Sequence, residues 1–413
     1  MATGRATVRD LRRVNRSAVL RPLFLQGSLN RVVLAHLTGL SSASVTSVVS
    51  DLLEEELVVE DGTEESDGGR PRVLLKMNPD FGVVVGVDVG ETGIRVEGFD
   101  LSMREIAGAT VGVHPQEHDA VVVVEHISAA LNRLRTQLEG AGKRILGVGV
   151  GVPGVVEHGR DVHVHAPSIG WRAVPLAQLL RAEVELPLFI ENGAKTLGQA
   201  EMWLGAGRGT QHAIVTLWGT GVGAAIFAEG ALYRGAASSA GEWGHTSIVV
   251  GGKNCRCGAS GCLEAYIGAE ALLQEWAHAD DAISLPADFD QEEWLERLLE
   301  VAFSSEAAAL VLDRTATYFG TAAADLVNLF NPERIIIAGW VGLKLGPLLL
   351  PKIRAVLAAQ ALDYPATRAT VELGQLGHDA VALGASTLVV EELLAAGGRP
   401  PALMRSAKRP RLA

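Results

Sequence analysis

The chain has 413 residues, a formal net charge of −12 and 48% apolar residues; that length suits two or three domains with real cores, and the composition excludes a disordered chain. Its most apolar run, IIIAGWVGLKLGPLLL, carries Lys344 and three glycines, which argues against a membrane-spanning helix. All 3 cysteines lie between Cys255 and Cys262, which excludes a secreted disulfide framework, and no apolar segment backs the arginines of MATGRATVRDLRRVNR, so a reducing cytoplasm is the expected compartment.

Charge is distributed unevenly. Seven arginines from Arg5 to Arg31 face one carboxylate, Asp10, in residues 1–50, whereas residues 51–67 hold nine acids and no base. This asymmetry suggests a small basic, nucleic-acid-binding module joined to a large acidic one. From Val8 to Leu25 the spacing predicts a helix with Leu11, Val14, Ala18, Val19 and Leu23 on one face. A helix-turn-helix follows: Leu29, Val32, Val33 and Leu37 form the first stripe, Gly39 breaks it, and Ser41 or Ser42 caps a second helix burying Val45, Val48, Val49 and Leu52. Ser42, Ser44, Thr46 and Ser47 lie on the other face, short enough for close approach to a major groove. Strands over 57–60 and 72–77 make a wing whose tip, GGRPR, offers Arg70 and Arg72 to a minor groove. The alternative is a helical protein-interaction module, and the acidic run after the second helix must face away from phosphate.

Beyond Asn78-Pro79, FGVVVGVDVGETGIRVEGFD reads as two strands around a tight glycine turn, and HAIVTLWGTGVGAAIFAEG repeats the pattern. The echo predicts a duplicated α/β fold with a cleft between its halves, its glycine turns presenting backbone N–H groups suited to phosphate. IIIAGWVG supplies a further strand and turn, while the G-x-G spacings of GVGVGVPG lack the helix a dinucleotide site needs. The Arg-rich tail GGRPPALMRSAKRPRLA reads as disordered.

GHTSIVVGGKNCRCGASGCLE gathers Cys255, Cys257 and Cys262 ten residues after His245. Thiolates and an imidazole are ligands that tetrahedral Zn2+ prefers, so a Cys₃His site is expected, against the plainer reading of three buried thiols. All four positions are then filled by protein, which makes the zinc structural. His158, His163 and His165 raise the question of a second metal, but no acid or thiol partner is evident in sequence.

The zinc loop C-R-C-G-A-S-G-C-L-E, together with GVDVGETGI, GVPGVV, GWRAVPL, GTGVG and GEWGH in this order, resembles the ROK family of repressors, open reading frames and sugar kinases. The front of the chain is similar to its repressor branch. The resemblance implies a mainly α winged helix-turn-helix followed by an α/β, actin-like or hexokinase-like two-lobed body, assembled as a homodimer or homotetramer. The expected domains are residues 1–78 for DNA binding, 79–205 for the first lobe completed by a helix near 378–396, 206–377 for the second lobe with the zinc loop, and 397–413 as a basic tail. The resemblance assigns Gly154, Asn192, Glu242, His245 and Glu264 to sugar hydroxyls, a set whose carboxylates and amide suit vicinal diols. His245 would serve zinc with one ring nitrogen and sugar with the other.

Where the family's kinases carry a catalytic aspartate, this chain has Gly193, in ENGAKT; the protonated amine of Lys195 is a poor substitute. Their D-x-G-G-T turn is here Asp88-Val89-Gly90-Glu91-Thr92, and a carboxylate at Glu91 opposes nucleotide phosphate. The expected protein is therefore a non-enzymatic, sugar-responsive repressor of carbohydrate genes that binds operator DNA. An active sugar kinase with a fused DNA-binding domain, and a DNA-binding scaffold governed by a protein partner, remain open at this point, as does the sugar: glucose, xylose or an N-acetylated hexosamine.

Overall fold

A computed structural model describes residues 7–65, 71–114, 117–159, 161–280, 282–286, 289–378 and 380–401. Arg70 and all but the start of the expected basic tail lie outside the described residues.

The front comprises α1 (Val8–Gln26), β1 (Leu29–Asn30), α2 (Arg31–Thr38), α3 (Ser42–Glu54), β2 (Val58–Glu64) and β3 (Arg72–Met77). Each helix starts on a side-chain cap. Thr7 and Asp10 form a capping box on α1, Asn30 accepts from the Val32 and Val33 N–H groups, and Ser41 accepts from Ser44 N, which settles the choice between Ser41 and Ser42. The chain bends by 116° between α2 and α3, as in a helix-turn-helix. α3 buries Val45, Val48, Val49 and Leu52 as expected. The stripe expected on α2 is wrong. Leu29 pairs with Leu75 of β3 in a sheet ordered β1-β3-β2, and the Asn30 cap starts the helix later, so Leu34 points inward while Val32 and Leu37 are exposed. On α1, likewise, Arg16, Val19, Leu20 and Leu23 are buried while Leu11 and Val14 face solvent.

The reason lies in what α1 packs against. Its arginines serve the protein rather than standing free: Arg12 pairs with Asp51 at 2.6 Å, and Arg16 grips both oxygens of Glu55 while donating to Gly397 O at 2.6 Å. Arg13 donates to Ala395 O at 2.9 Å, and Arg21 lies over the Trp203 ring at 5.5 Å. Two of the α1 arginines thus pair with the start of the acidic run and two more hold α13 and α6, so α1 fastens the front to the body as well as carrying charge.

The body contains β4 (Val83–Val89), β5 (Gly93–Phe99), β6 (Glu105–Gly112), α4 (Ala120–Gly140), β7 (Ile145–Val152), β8 (Val155–Glu157), β9 (His163–Ala166), β10 (Trp171–Val174), α5 (Leu176–Glu183), β11 (Leu188–Asn192) and α6 (Gly193–Leu204). It continues with β12 (Ala213–Trp218), β13 (Val222–Ala228), β14 (Ala231–Leu232), α7 (Glu264–Ile267), α8 (Ala269–Ala279), α9 (Gln291–Glu300) and α10 (Glu306–Phe330). The last elements are β15 (Arg334–Ala338), α11 (Trp340–Gln360), α12 (Asp363–Ala366), β16 (Thr370–Leu373) and α13 (Ala380–Ala395).

The internal echo is real. One five-stranded sheet runs β11-β7-β4-β5-β6 and the other β14-β13-β12-β15-β16. In each, an antiparallel hairpin, β4–β5 or β12–β13, continues into two parallel strands on the side of its first strand. α13 returns to the first sheet and packs on α6, β4 and β7 with no room for side chains between. A Cβ on Gly149 would fall 1.7 Å from Ala385 O, and one on Gly384 would fall 1.9 Å from Thr196 O. The far end of α13 enters the front module: Val389, Val390, Leu393 and Leu394 share one core with Val19, Leu20, Leu23, Leu52 and Leu57. Among the described residues no single helix is long and apolar enough to cross a membrane.

Candidate functional site: a cleft between two glycine turns

The turn at 90–92, between β4 and β5, and the turn at 219–221, between β12 and β13, line one cleft of about 570 Å³, a volume suited to a small ligand. Gly154, Asn192, Glu242, His245 and Glu264 all line it, so the five residues gathered from 111 positions of sequence do converge. Asn192 caps α6: its Oδ1 accepts from Lys195 N at 3.1 Å and its Nδ2 donates to Gly154 O at 2.6 Å. Gly154 has to be glycine, with φ of +74° and a would-be Cβ 2.1 Å from His165 O. Glu242 leads into the short helical turn Trp243–His245, and burial pushes its carboxyl up, opposed by His245 and Lys195.

Glu264 opens α7 and is 9% exposed. Its Oε2 accepts from Val222 N at 2.9 Å, which fixes the exit of the second turn, and its Oε1 lies 3.4 Å from Arg256. Neither acid is a solvated loop charge. Gly193 stands at the first position of α6, where a Cβ would find only ordinary contacts at 3.6 Å with Val152 O and Val381. Packing therefore does not demand glycine here; what is missing is a proton acceptor. Lys195 is buried, with its ammonium donating to Ser238 O.

His245, Cys255, Cys257 and Cys262 bring one ligand atom each to within 4.8 Å of the others. His245 Nδ1 is 3.6 Å from Cys255 Sγ, and Cys257 Sγ is 3.7 Å from Cys262 Sγ. Those separations match the edges, about 3.5–3.8 Å, of a tetrahedron whose bonds are about 2.0–2.3 Å, so the set fits a four-coordinate metal ion. Nδ1 of His245 faces the thiols, and the residue also lines the cleft. The other histidines differ: His158 Nε2 lies 3.4 Å from Glu191 and His165 Nε2 lies 3.2 Å from Glu157. These two do have acid partners, unlike the expectation from sequence, but each histidine faces a single carboxylate.

Sequence reasoning missed three charged residues. Glu191, beside Asn192, is buried and accepts from Asn192 N at 3.0 Å and Arg234 Nε at 3.1 Å. Burial pushes its carboxyl up, but His158, the Asn192 N–H, Lys195 and Arg234 outweigh that and hold it below the usual range. Arg234 follows β14, and Arg256 sits between two cysteines of the loop. The only sequence signal was adjacency: Glu191 precedes Asn192, and Arg256 divides the C-R-C motif. Asp88 also lines the cleft, its carboxyl pushed up to about 6 by burial against the pull of Arg95.

On α3, Ser42, Thr46 and Ser47 are exposed and Ser44 is half-buried. Ser44 Oγ lies 2.9 Å from Ser41 Oγ and Thr46 Oγ1 donates to Ser42 O at 2.8 Å, so two of the four hydroxyls are engaged within the helix. Arg72 is exposed at the start of β3, opposite Glu64.

The chain is 29% identical over 404 residues to a protein named xylose repressor from Caldicellulosiruptor bescii, covering 93% of this chain and 97% of that one. It is 34% identical over 315 residues to a glucokinase from Halalkalibacterium halodurans, covering 75% of this chain and 95% of the enzyme. In fold it matches the crystal structure of a ROK family transcriptional regulator, a homologue of the Escherichia coli MLC protein, with a TM-score of 0.77 at 22% identity over 94% of this chain and 98% of that one. The repressor-type likenesses include the winged front, whereas the glucokinase match spans only three quarters of the chain. The ROK family pattern itself matches residues 84–392, and with the duplicated sheets and the Cys/His loop in place, this chain belongs to the ROK family.

Proposed function

We propose that this protein is a sugar-responsive transcriptional regulator, a repressor that binds operator DNA through α3 and the β2–β3 wing and takes a monosaccharide in the cleft between its two sheets. The observation that carries this reading is the pairing, in one continuous chain, of a helix-turn-helix with a cleft where Asn192, Glu242, His245 and Glu264 converge. The full-length similarity to a xylose repressor supports it. Gly154 positions Asn192, and the carboxylates accept from sugar hydroxyls while Asn192 donates. Ser42, Ser44, Thr46 and Ser47 face the major groove and Arg70 and Arg72 the minor groove, with Ser42 and Ser47 the freest to reach base edges.

The metal of the Cys₃His set is Zn2+, chosen by the soft thiolates and tetrahedral edges, and it is structural because no ligand position is open. It ties His245 and, through α7, Glu264 to one rigid loop. Phosphoryl transfer is absent on this reading, because Gly193 supplies no base and Glu91 occupies the first phosphate turn. Operator half-sites related by two-fold symmetry call for at least a homodimer.

Fluorescence anisotropy of the zinc-loaded protein on its own upstream DNA, at fixed salt, tests the reading. Binding that one monosaccharide changes at least ten-fold supports it. Tight binding indifferent to every monosaccharide favours control by a protein partner, and sugar-dependent ADP production in a coupled ATPase assay run beside it favours an active kinase.

A further inference from the structure

Arg256 joins the two glycine turns. Its Nη1 lies 2.6 Å from Glu91 Oε2, in the first turn, and its Nη2 lies 3.4 Å from Glu264 Oε1. The other oxygen of Glu264 accepts from Val222 N at the exit of the second turn. A Cβ placed on Gly221, inside the second turn, would be 3.9 Å from Arg256 Nη2. The guanidinium therefore lies between the two turns, where backbone N–H groups of such a fold would otherwise face a phosphate. Glu91 is held in turn from behind, its backbone carbonyl 2.8 Å from His118 Nε2. The Arg256 and Glu91 side chains keep 35% and 18% of their exposure, so the pair is substantially enclosed.

We propose that Arg256, pinned by Glu91, sets the ligand class of the cleft: it admits an uncharged monosaccharide and excludes phosphate-bearing ligands, both nucleotides and sugar phosphates. The inference rests on the sugar-binding reading of the cleft. Two carboxylates already satisfy the guanidinium, so an incoming phosphate gains no free cation. It also meets an excess of acidic groups: beyond the Glu91–Arg256–Glu264 bridge and Glu292, which pairs with Lys344 at 2.9 Å, the cleft is lined by Asp88, Glu242 and Asp290 against Arg95, His245 and His378 among the described residues. A neutral sugar carries no such penalty and finds acceptors for its hydroxyls. The bridge also does the holding that a nucleotide's phosphates would do, drawing the two turns together from within. In this chain Glu91 is therefore an attractive partner for Arg256 before it is a repulsive neighbour for phosphate.

Isothermal titration of the zinc-loaded protein with Mg2+–AMPPNP, glucose 6-phosphate, N-acetylglucosamine 6-phosphate and the free sugars xylose, glucose and N-acetylglucosamine tests this. The wild type is expected to bind neither AMPPNP nor either sugar phosphate at 5 mM, a concentration of about the weakest affinity worth calling binding. Glu91→Gly, which frees Arg256 and restores glycine to the turn, is expected to gain at least ten-fold in affinity for AMPPNP and for a sugar phosphate. Adding Arg256→Ala to it removes that gain, and Glu91→Gln gives a second, smaller change in the turn should the glycine variant not fold. Wild-type protein that takes AMPPNP or a sugar phosphate as tightly as the Glu91 variants do, or more tightly than every free sugar, overturns the proposal. If no free sugar binds any variant, the sugar-sensor reading fails, while the AMPPNP titrations still decide whether Glu91 and Arg256 bar phosphate.

Discussion

Trp203, in the last turn of α6, packs edge-on against Phe24 of α1, their ring centroids 5.7 Å apart at an interplanar angle of 71°. The helix that carries Trp203 at one end is capped by Asn192 at the other, in the cleft. The same indole receives Arg21 on its face. One α-helix thus runs from the proposed sugar ligands to the DNA-binding front. Trp203→Ala is expected to lower stability by ~2 kcal/mol, the lower end for losing a half-buried aromatic. It should also uncouple sugar from DNA: operator affinity within three-fold of wild type, with the sugar effect reduced at least five-fold. Anisotropy with and without sugar, beside a urea denaturation curve, measures both.

Cys257→Ser removes a ligand from the tetrahedral set. Metal analysis of the wild type is expected to give close to one zinc per chain, and of the variant close to none. Sugar response should be lost while DNA binding survives, because His245 and Cys257 line the cleft, whereas the core of the front module draws on no residue of the cysteine loop among the described residues. A variant without zinc that still responds fully to sugar would separate the metal from ligand recognition.

Glu264 has two duties, one oxygen toward Val222 N and one toward Arg256 and the cleft. Glu264→Ala would orphan a buried N–H at a cost of ~1–3 kcal/mol, so Glu264→Gln is the cleaner probe. Glu264→Gln and Glu242→Ala are both expected to raise the sugar concentration needed for half-response at least ten-fold, with operator affinity unchanged. Normal induction in both variants would remove these residues from the sugar site.

Glu97, in β5, is a buried carboxylate that burial pushes up to about 7, with the pull of Arg95 opposed by Glu105 and Asp88. Its Oε2 has no hydrogen-bond partner among the described residues. The folded protein therefore holds a proton on Glu97 that the unfolded chain releases near its ordinary value of 4.5. Stability from this group is complete below pH 4.5 and drains away as pH rises through about 7. Glu97→Gln, which keeps the shape and stays neutral, is expected to stabilise the protein by ~2 kcal/mol at pH 8 and by almost nothing at about pH 4. Urea denaturation at the two pH values reads the difference; equal effects at both would show that ionisation carries no cost there.

How far the sequence carried the structure depended on whether a residue's role was local. The duplicated hairpins were visible because a glycine turn between two β-branched runs is decided by neighbours in the chain. The Cys/His site was visible because three of its four ligands fall within one loop. The phase of α2 was not, since the Asn30 cap and the pairing of Leu29 with Leu75 moved the helix start and turned Leu34 inward. Nor was the task of the N-terminal arginines: Arg16 reaches Glu55, 39 residues away, and Gly397, 381 residues away. Composition reads such a helix as basic, and only tertiary contact shows that Arg12 and Arg16 are paired with acids. Arg256 was hidden for the same reason, its partner Glu91 lying 165 residues earlier.

The contacts of α13 have a consequence for signalling. With Gly149 against Ala385 and Gly384 against Thr196, backbone touches backbone, and α13 can neither slide nor roll over β7 and α6 without collision. The first sheet and these two helices are therefore packed as one piece, Asn192 is set into it, and the winged front shares a core with the far end of α13. On the proposed function, sugar that shuts the cleft would swing the second sheet against this piece and leave the path from Asn192 to the DNA unbent within one copy. A single copy would then carry both ligands without coupling them. Coupling would need two copies joined through the half that swings, so that each swing resets the distance between two fronts that the operator holds at a fixed spacing. Diluted until its copies part, the protein should still bind sugar and still touch a half-site, and the sugar should no longer matter to the DNA.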